Sequence, residues 1–231
     1  MNFEDSFFLR SSLIEMRAVE STYIYKAFLL RSNMKKVAVL LFDNFETLDV
    51  FGPVEIFGIL KEDYEVSFYS QNGGMVKNGH GVSMLSEKPD GIRNGVDIFL
   101  IPGGWGTRPE VNNPVLIDLI REVSLASKYV LTVCTGTALL ARTGLLDGKR
   151  ATSNKRAFDW VMTQGPKVDW IRKARWVVDG RFYTSSGVSA GMDMVLGFLE
   201  DCHGKAFAQD AAHKIEYNWN RDKEEDNFYT A

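Results

Sequence analysis

The chain has 231 residues, 45% hydrophobic and 25% charged. This is an ordinary globular balance, long enough for one large α/β domain without disulfide staples. A net charge of −3 with no long basic run excludes the electrostatic footprint of a nucleic-acid binder. Two cysteines (Cys134 and Cys202) without a CxxC, and three scattered histidines (His80, His203 and His213), offer no zinc site. They fit a reducing, cytoplasmic setting, and neither metal nor cofactor is expected.

Residues 1–33 mix aromatics with charges and lack the apolar run of a signal peptide or membrane span, so they read as an N-terminal extension. The domain starts at Met34. Lys36 to Phe42 is a continuous apolar run suited to a buried parallel strand. A loop with Glu46 leads into a helix from Leu48 to Leu60, where Asp49 is placed to cap and Pro53 lies near the start. Tyr64 to Ser70 alternates like a strand, and Gly73 to Leu85, with Asn78-Gly79, reads as a hairpin. Asp97 to Gly104 is a buried strand ending in the Gly103-Gly104 turn, and Pro114 to Ser127 is helical.

Tyr129 to Val133 has high strand propensity and runs directly into Cys134, after which Gly136 to Thr143 reads as helix. A cysteine at such a strand-to-helix turn has the nucleophile-elbow pattern, with the helix N-terminus favouring its thiolate. A buried structural cysteine is the plainer alternative. Further on, Lys155 to Gln164 is helical, and Arg175 to Tyr183 is a hairpin around Asp179-Gly180. Helices follow over 190–201 and from Lys205 to Tyr217, and 218–231 is a polar, irregular tail. Strands alternating with helices imply a mostly parallel sheet covered on both faces, with ligands bound beyond the C-terminal strand ends. The loop carrying Glu46 and Asp49, the Gly103-Gly104 turn and Cys134-Thr135 would meet there.

Several motifs occur in combination: Leu48-Asp49-x-x-Gly52-Pro53, Ile101-Pro102-Gly103-Gly104, Val133-Cys134-Thr135-Gly136 and Gly187-Val188-x-Ala190-Gly191-Met192-Asp193. With these, residues 34–217 resemble the ThiJ/PfpI superfamily of class I glutamine-amidotransferase-like domains. Within it, the Leu-Asp-x-x-Gly-Pro and Val-Cys-Thr-Gly pair is most similar to the isonitrile hydratases. The sensing domains of some AraC-type regulators share these motifs. The resemblance implies a flavodoxin-like three-layer sandwich, a homodimer and a reactive cysteine acting on a small-molecule substrate. It places the nucleophile on Cys134, its neighbouring threonine on Thr135, the catalytic carboxylate on Asp49 (Glu46 being the alternative acid) and substrate or oxyanion donors on Gly103, Gly104 and Gly136. Two departures stand out. Thr135 replaces the histidine that PfpI-type peptidases carry after the cysteine, and Asn154 replaces a histidine common in hydratases. Three classes of function stay open: a cysteine-dependent hydratase, a redox or stress protein with an oxidisable cysteine, and a small-molecule-sensing module.

Overall fold

A computed structural model describes residues 34–229; the extension 1–33 and the last two residues lie outside the described part. A six-stranded sheet forms its centre, in the order β2-β1-β5-β6-β10-β9. The strands are β1 (Lys35–Leu40), β2 (Tyr64–Tyr69), β5 (Ile98–Ile101), β6 (Tyr129–Thr132), β9 (Trp176–Asp179) and β10 (Phe182–Ser185). All neighbours are parallel except the edge strand β9, which pairs antiparallel with β10. Val37 stands opposite Val66 on one side and Ile98 on the other. β5 is apolar and buried along its whole length and β1 from Val37 onward, because both faces of the sheet are covered.

Helix α1 (Thr47–Gly58) packs against α6 (Ala190–His203), and α3 (Pro114–Ala126) packs against α4 (Gly136–Arg142). Short pieces fill the connections. They are the ribbon β3 (Gly74–Lys77) and β4 (Ser83–Ser86), the one-turn α2 (Thr107–Glu110), the two-residue pair β7 (Arg150–Ala151) and β8 (Asp169–Trp170), α5 (Phe158–Gln164) and α7 (Lys205–Lys214). Among the described residues no helix is long and apolar enough to cross a membrane.

Two local readings change, and a third is extended. Asp49 does not cap α1: Glu46 occupies the cap position, without a side-chain cap bond, and Asp49 is the third helical residue. Pro53 sits inside α1 rather than near its start, so the Asp49 carbonyl four residues back has no N–H to accept there. The tail beyond 217 is irregular but docked. The Lys223 carbonyl accepts from the Arg175 and Trp176 N–H groups, and Asp226 N–H donates to the Lys173 carbonyl at 2.8 Å.

Candidate active site

Four adjacent parallel strands, β1, β5, β6 and β10, deliver their C-terminal ends to one place. Asp49 follows β1, Gly103 and Gly104 follow β5, Cys134 follows β6, and Ser186 to Val188 follow β10. Backbone bonds knit these ends together. Glu46 N–H donates to the Gly103 carbonyl at 2.8 Å, and Cys134 N–H donates to the Ser186 carbonyl at 3.1 Å.

Cys134 has φ +56°, a left-handed conformation that costs a non-glycine residue about 1–3 kcal/mol. Its backbone is pinned on both sides. Ser186 holds its N–H, while the hydroxyl of Ser153 donates to its carbonyl at 2.6 Å. The residue is only 6% exposed. The N–H groups of Thr135 and Val188 and the Thr135 hydroxyl face the sulfur. Val188 also has a positive φ, +48°, where a β-branched residue is a genuine outlier. That strain aims its N–H at Cys134.

Asp49 is fully buried. Its Oδ2 accepts from Gly103 N–H at 2.9 Å, while Oδ1 has no hydrogen-bond partner. The Cys134 thiol is near enough for each acid to act on the other's pKa. Burial pushes the Asp49 carboxyl well above the ordinary carboxylate range, the Gly103 N–H pulls against this, and the charge of Glu46 adds to the rise. Burial also raises the Cys134 thiol well above its ordinary value, with the charge of Asp49 second. This overturns the expectation that the helix N-terminus would favour the thiolate: enclosure and an adjacent acid outweigh the N–H groups of Thr135 and Val188. The two acids titrate as one unit, because both cannot be anions side by side in a closed site.

The predicted glycine donors have other tasks. Gly103 N–H orients Asp49, Gly104 N–H donates to Thr135 Oγ1 at 3.0 Å, and Gly136 N–H donates to the Val133 carbonyl at 2.9 Å. None of the three is free for a substrate oxyanion. Gly103 is required for space: a Cβ there would lie 2.5 Å from Thr135 N and 2.9 Å from Asp49 Oδ2. Glu46 turns outward, with Oε1 3.7 Å from Nδ1 of the exposed His80. Its side chain reaches Asp49 only through its charge.

Two residues escaped the sequence reading. Thr107, fully buried, donates to the Gly104 carbonyl at 2.7 Å and to Thr135 Oγ1 at 3.1 Å. Arg108 donates to Thr107 Oγ1 at 3.1 Å and stacks 3.9 Å from the Trp160 ring centre. Burial lowers its pKa and the Cys134 charge raises it, so it lies within electrostatic reach of the sulfur. Neither belongs to a motif; only the turn after Gly104 brings them in. Cys202 lies elsewhere, half-buried near the end of α6 beside Tyr129, the first residue of β6, whereas Cys134 lies beyond its last.

Isonitrile hydratase of Pseudomonas putida is 30% identical to this chain over 184 residues, covering 79% of the chain and 78% of that protein. The HTH-type transcriptional regulator CdhR of Pseudomonas aeruginosa is 28% identical over 63% of the chain, which spans only 43% of the regulator. A crystal structure of a ThiJ/PfpI family protein from Pseudomonas syringae superposes with a TM-score of 0.74 at 24% identity, covering 81% of this chain and 76% of that one, and so shares its fold. The family model for DJ-1/PfpI matches residues 35–201, which include every site residue named above, and the chain belongs to the DJ-1/PfpI family.

Proposed function

We propose that the protein is a cysteine-dependent hydratase of isonitriles, converting R–N≡C to the N-substituted formamide. The observation that carries this reading is the buried pair of Cys134 and Asp49, two adjacent acids with raised pKa values. With one proton between them, the pair is a nucleophile and a general acid at once. The burial of both groups suits a substrate whose reacting atom is a terminal carbon.

In the first half-reaction the thiol proton passes to Asp49 and the sulfur attacks the terminal carbon. Asp49 then returns that proton to the same carbon, giving the thioimidate R–N=CH–S–Cys134. In the second, the Asp49 carboxylate takes a proton from water as the hydroxide adds to the carbon, and that proton goes to nitrogen. The C–S bond breaks as the hydroxyl proton leaves for the pair. R–NH–CHO is released, and the thiol and the Asp49 carboxylate, with one proton between them, are restored. The N–H groups of Thr135 and Val188 support the sulfur while it carries negative charge, and Thr135, held by Gly104 and Thr107, keeps its hydroxyl there.

A stress-sensor role asks for an exposed thiol of low pKa, and the burial of Cys134 speaks against it. A sensing module needs only the pocket, and the similarity to the regulator CdhR is what favours it as the second reading. The proposal includes a two-fold dimer. Leu48 and Phe51 of α1, and Trp105 at 77% exposure, are apolar side chains left open beside the site; light scattering should give twice the monomer mass. The deciding experiment is incubation with a panel of isonitriles, following loss of the N≡C stretch and appearance of formamide. Turnover that disappears in Cys134→Ala supports the hydratase. Binding of isonitriles without turnover in the intact protein would replace it with the sensor.

A further inference from the structure

Beyond Val188, whose N–H faces Cys134, the surface opens into a cavity of about 200 Å³. Three stretches of chain line it: Asn154 to Arg156, Ser186 to Ser189, and Phe228 from the docked tail. Phe228 is 71% exposed, an unusual place for a phenylalanine unless it walls something. The tail holds it there: Phe228 N–H donates to Asp226 Oδ1 at 3.0 Å, and Asp226 lies 3.6 Å from the Arg175 guanidinium.

The charges around this cavity are unbalanced. Lys155 Nζ reaches the Ala174 carbonyl at 2.5 Å and Thr152 Oγ1 at 2.9 Å, neutral acceptors only. Arg156 is exposed and has no ion-pair partner among the described residues. Arg175 behind them is shared by Asp193 and Asp226. Three cations thus face two carboxylates, and no carboxylate lines the cavity itself. Burial brings the Lys155 amine down to about 8, so a bound anion would also relieve an enclosed charge. In a chain of net charge −3, a cation left open at the rim of an apolar cavity calls for an anionic ligand.

We infer that this cavity is the substituent subsite and that the substrate is a carboxylate-bearing isonitrile with an apolar body, its body against Val188 and Phe228 and its carboxylate read by Arg156 and Lys155. The substrate class rests on the hydratase reading; the anion preference of the cavity does not. Both are tested with the intact chain. Calorimetric titration compares phenylacetate with phenylacetamide, which differ in charge but scarcely in shape. Phenylacetate is expected to bind at least tenfold more tightly, and Arg156→Gln to erase most of that difference. Equal affinities, or the same preference in Arg156→Gln, overturn the anion site. Turnover then compares 2-isocyano-3-phenylpropanoate with its methyl ester. A kcat/KM at least tenfold higher for the acid, lost in Arg156→Gln, supports the substrate class. Equal or better turnover of the ester overturns the substrate class and leaves the hydratase standing. Anion-selective binding without turnover of either compound overturns the hydratase and the substrate class, and leaves the anion site standing.

Discussion

Two clusters of charge are buried in this fold, and they are built on opposite terms. In the first, the Arg175 guanidinium lies 2.6 Å from Asp193 Oδ2, and Asp193 Oδ1 accepts from Asn220 N–H at 2.9 Å and from the Tyr217 hydroxyl at 3.1 Å. Opposite charges meet, and both oxygens of the central carboxylate are satisfied. In the second, Asp49 faces Cys134, another acid, with one oxygen bonded to Gly103 N–H and the other unpartnered. The first cluster fastens the tail to the body. The second leaves a proton without a settled owner and sits beside two residues with positive φ, Cys134 and Val188. Each cluster leaves one buried carboxylate oxygen unpartnered, Asp49 Oδ1 and Asp226 Oδ2, but only the second sets acid against acid on a residue, Cys134, that is itself strained, and this marks where the fold gives up stability for chemistry.

The sharpest break between the clusters comes from removing one charge in each. Asp49→Asn should lower hydration by roughly 10²-fold or more, as expected for loss of a general acid–base group, with the fold intact. Asp193→Asn should instead cost about 3–5 kcal/mol of stability by leaving Arg175 only the longer contact to Asp226 at 3.6 Å; denaturant titration and a turnover assay on both variants read the pair. Full activity in Asp49→Asn would remove the carboxylate from the mechanism. Unchanged stability in Asp193→Asn would show that the Arg175 cluster fastens nothing.

Gly103→Ala is the next largest expected effect. The new Cβ would press on Thr135 N and Asp49 Oδ2. A shift of the carboxyl by a fraction of an ångström should cost at least about tenfold in kcat, and a variant as active as the parent would contradict the tight turn.

The pH dependence of stability tests Asp49 more finely; burial raises the Asp193 carboxyl as well, so the slope that belongs to Asp49 is the part its removal flattens. A carboxyl with a raised folded-state pKa holds its proton more tightly when folded. Its contribution is therefore complete below the ordinary carboxylate range and declines as pH rises toward the folded value. Asp49, raised by burial, should thus destabilise the protein progressively above the ordinary carboxylate range. Asp49→Asn should flatten that slope and leave the variant more stable than the parent at pH 8, by on the order of 1 kcal/mol. Denaturation midpoints between pH 5 and 8 that move in parallel for both proteins would refute this.

The smallest effect concerns strain. Val188→Gly should gain about 1 kcal/mol in stability, the low end of the cost of a left-handed residue. A lowered midpoint would mean that Val188 contributes more by packing than it loses by strain.

The alternation of apolar runs with helical stretches was enough to read the sheet, and the abrupt change at Cys134 was enough to place a turn there. Those signals are local: strand propensity, helix propensity and small residues act within a few positions. The alternating β-α units also imply where strand ends meet, so Asp49, Gly103 and Cys134 could be brought together without coordinates. Element boundaries moved by only one or two residues in most cases, but Lys155 to Gln164 divides into a short 3₁₀ turn and a shorter helix, because Asn154 accepts from Ala157 N–H and interrupts the run.

What required the tertiary structure was everything set by enclosure. Helix-terminus reasoning favours the Cys134 thiolate, but it knows nothing of how deeply the sulfur is buried or that a second acid lies against it, and these reverse the direction. The same ignorance made Asp49 a helix cap and Gly103, Gly104 and Gly136 substrate donors, although the glycine N–H groups were already taken by partners 31 to 54 positions away or by the local turn. Thr107 and Arg108 belong to no motif, and Val188, though within Gly187-Val188-x-Ala190-Gly191, carried no role there. Val188 matters through a backbone dihedral, the others through a side-chain relay, and neither leaves a trace in residue spacing. Sequence determines which segments become strands and helices because propensity and periodicity act along the chain. Only the folded structure decides how charge is shared, because desolvation and hydrogen-bond competition depend on which distant groups arrive at the same few ångströms.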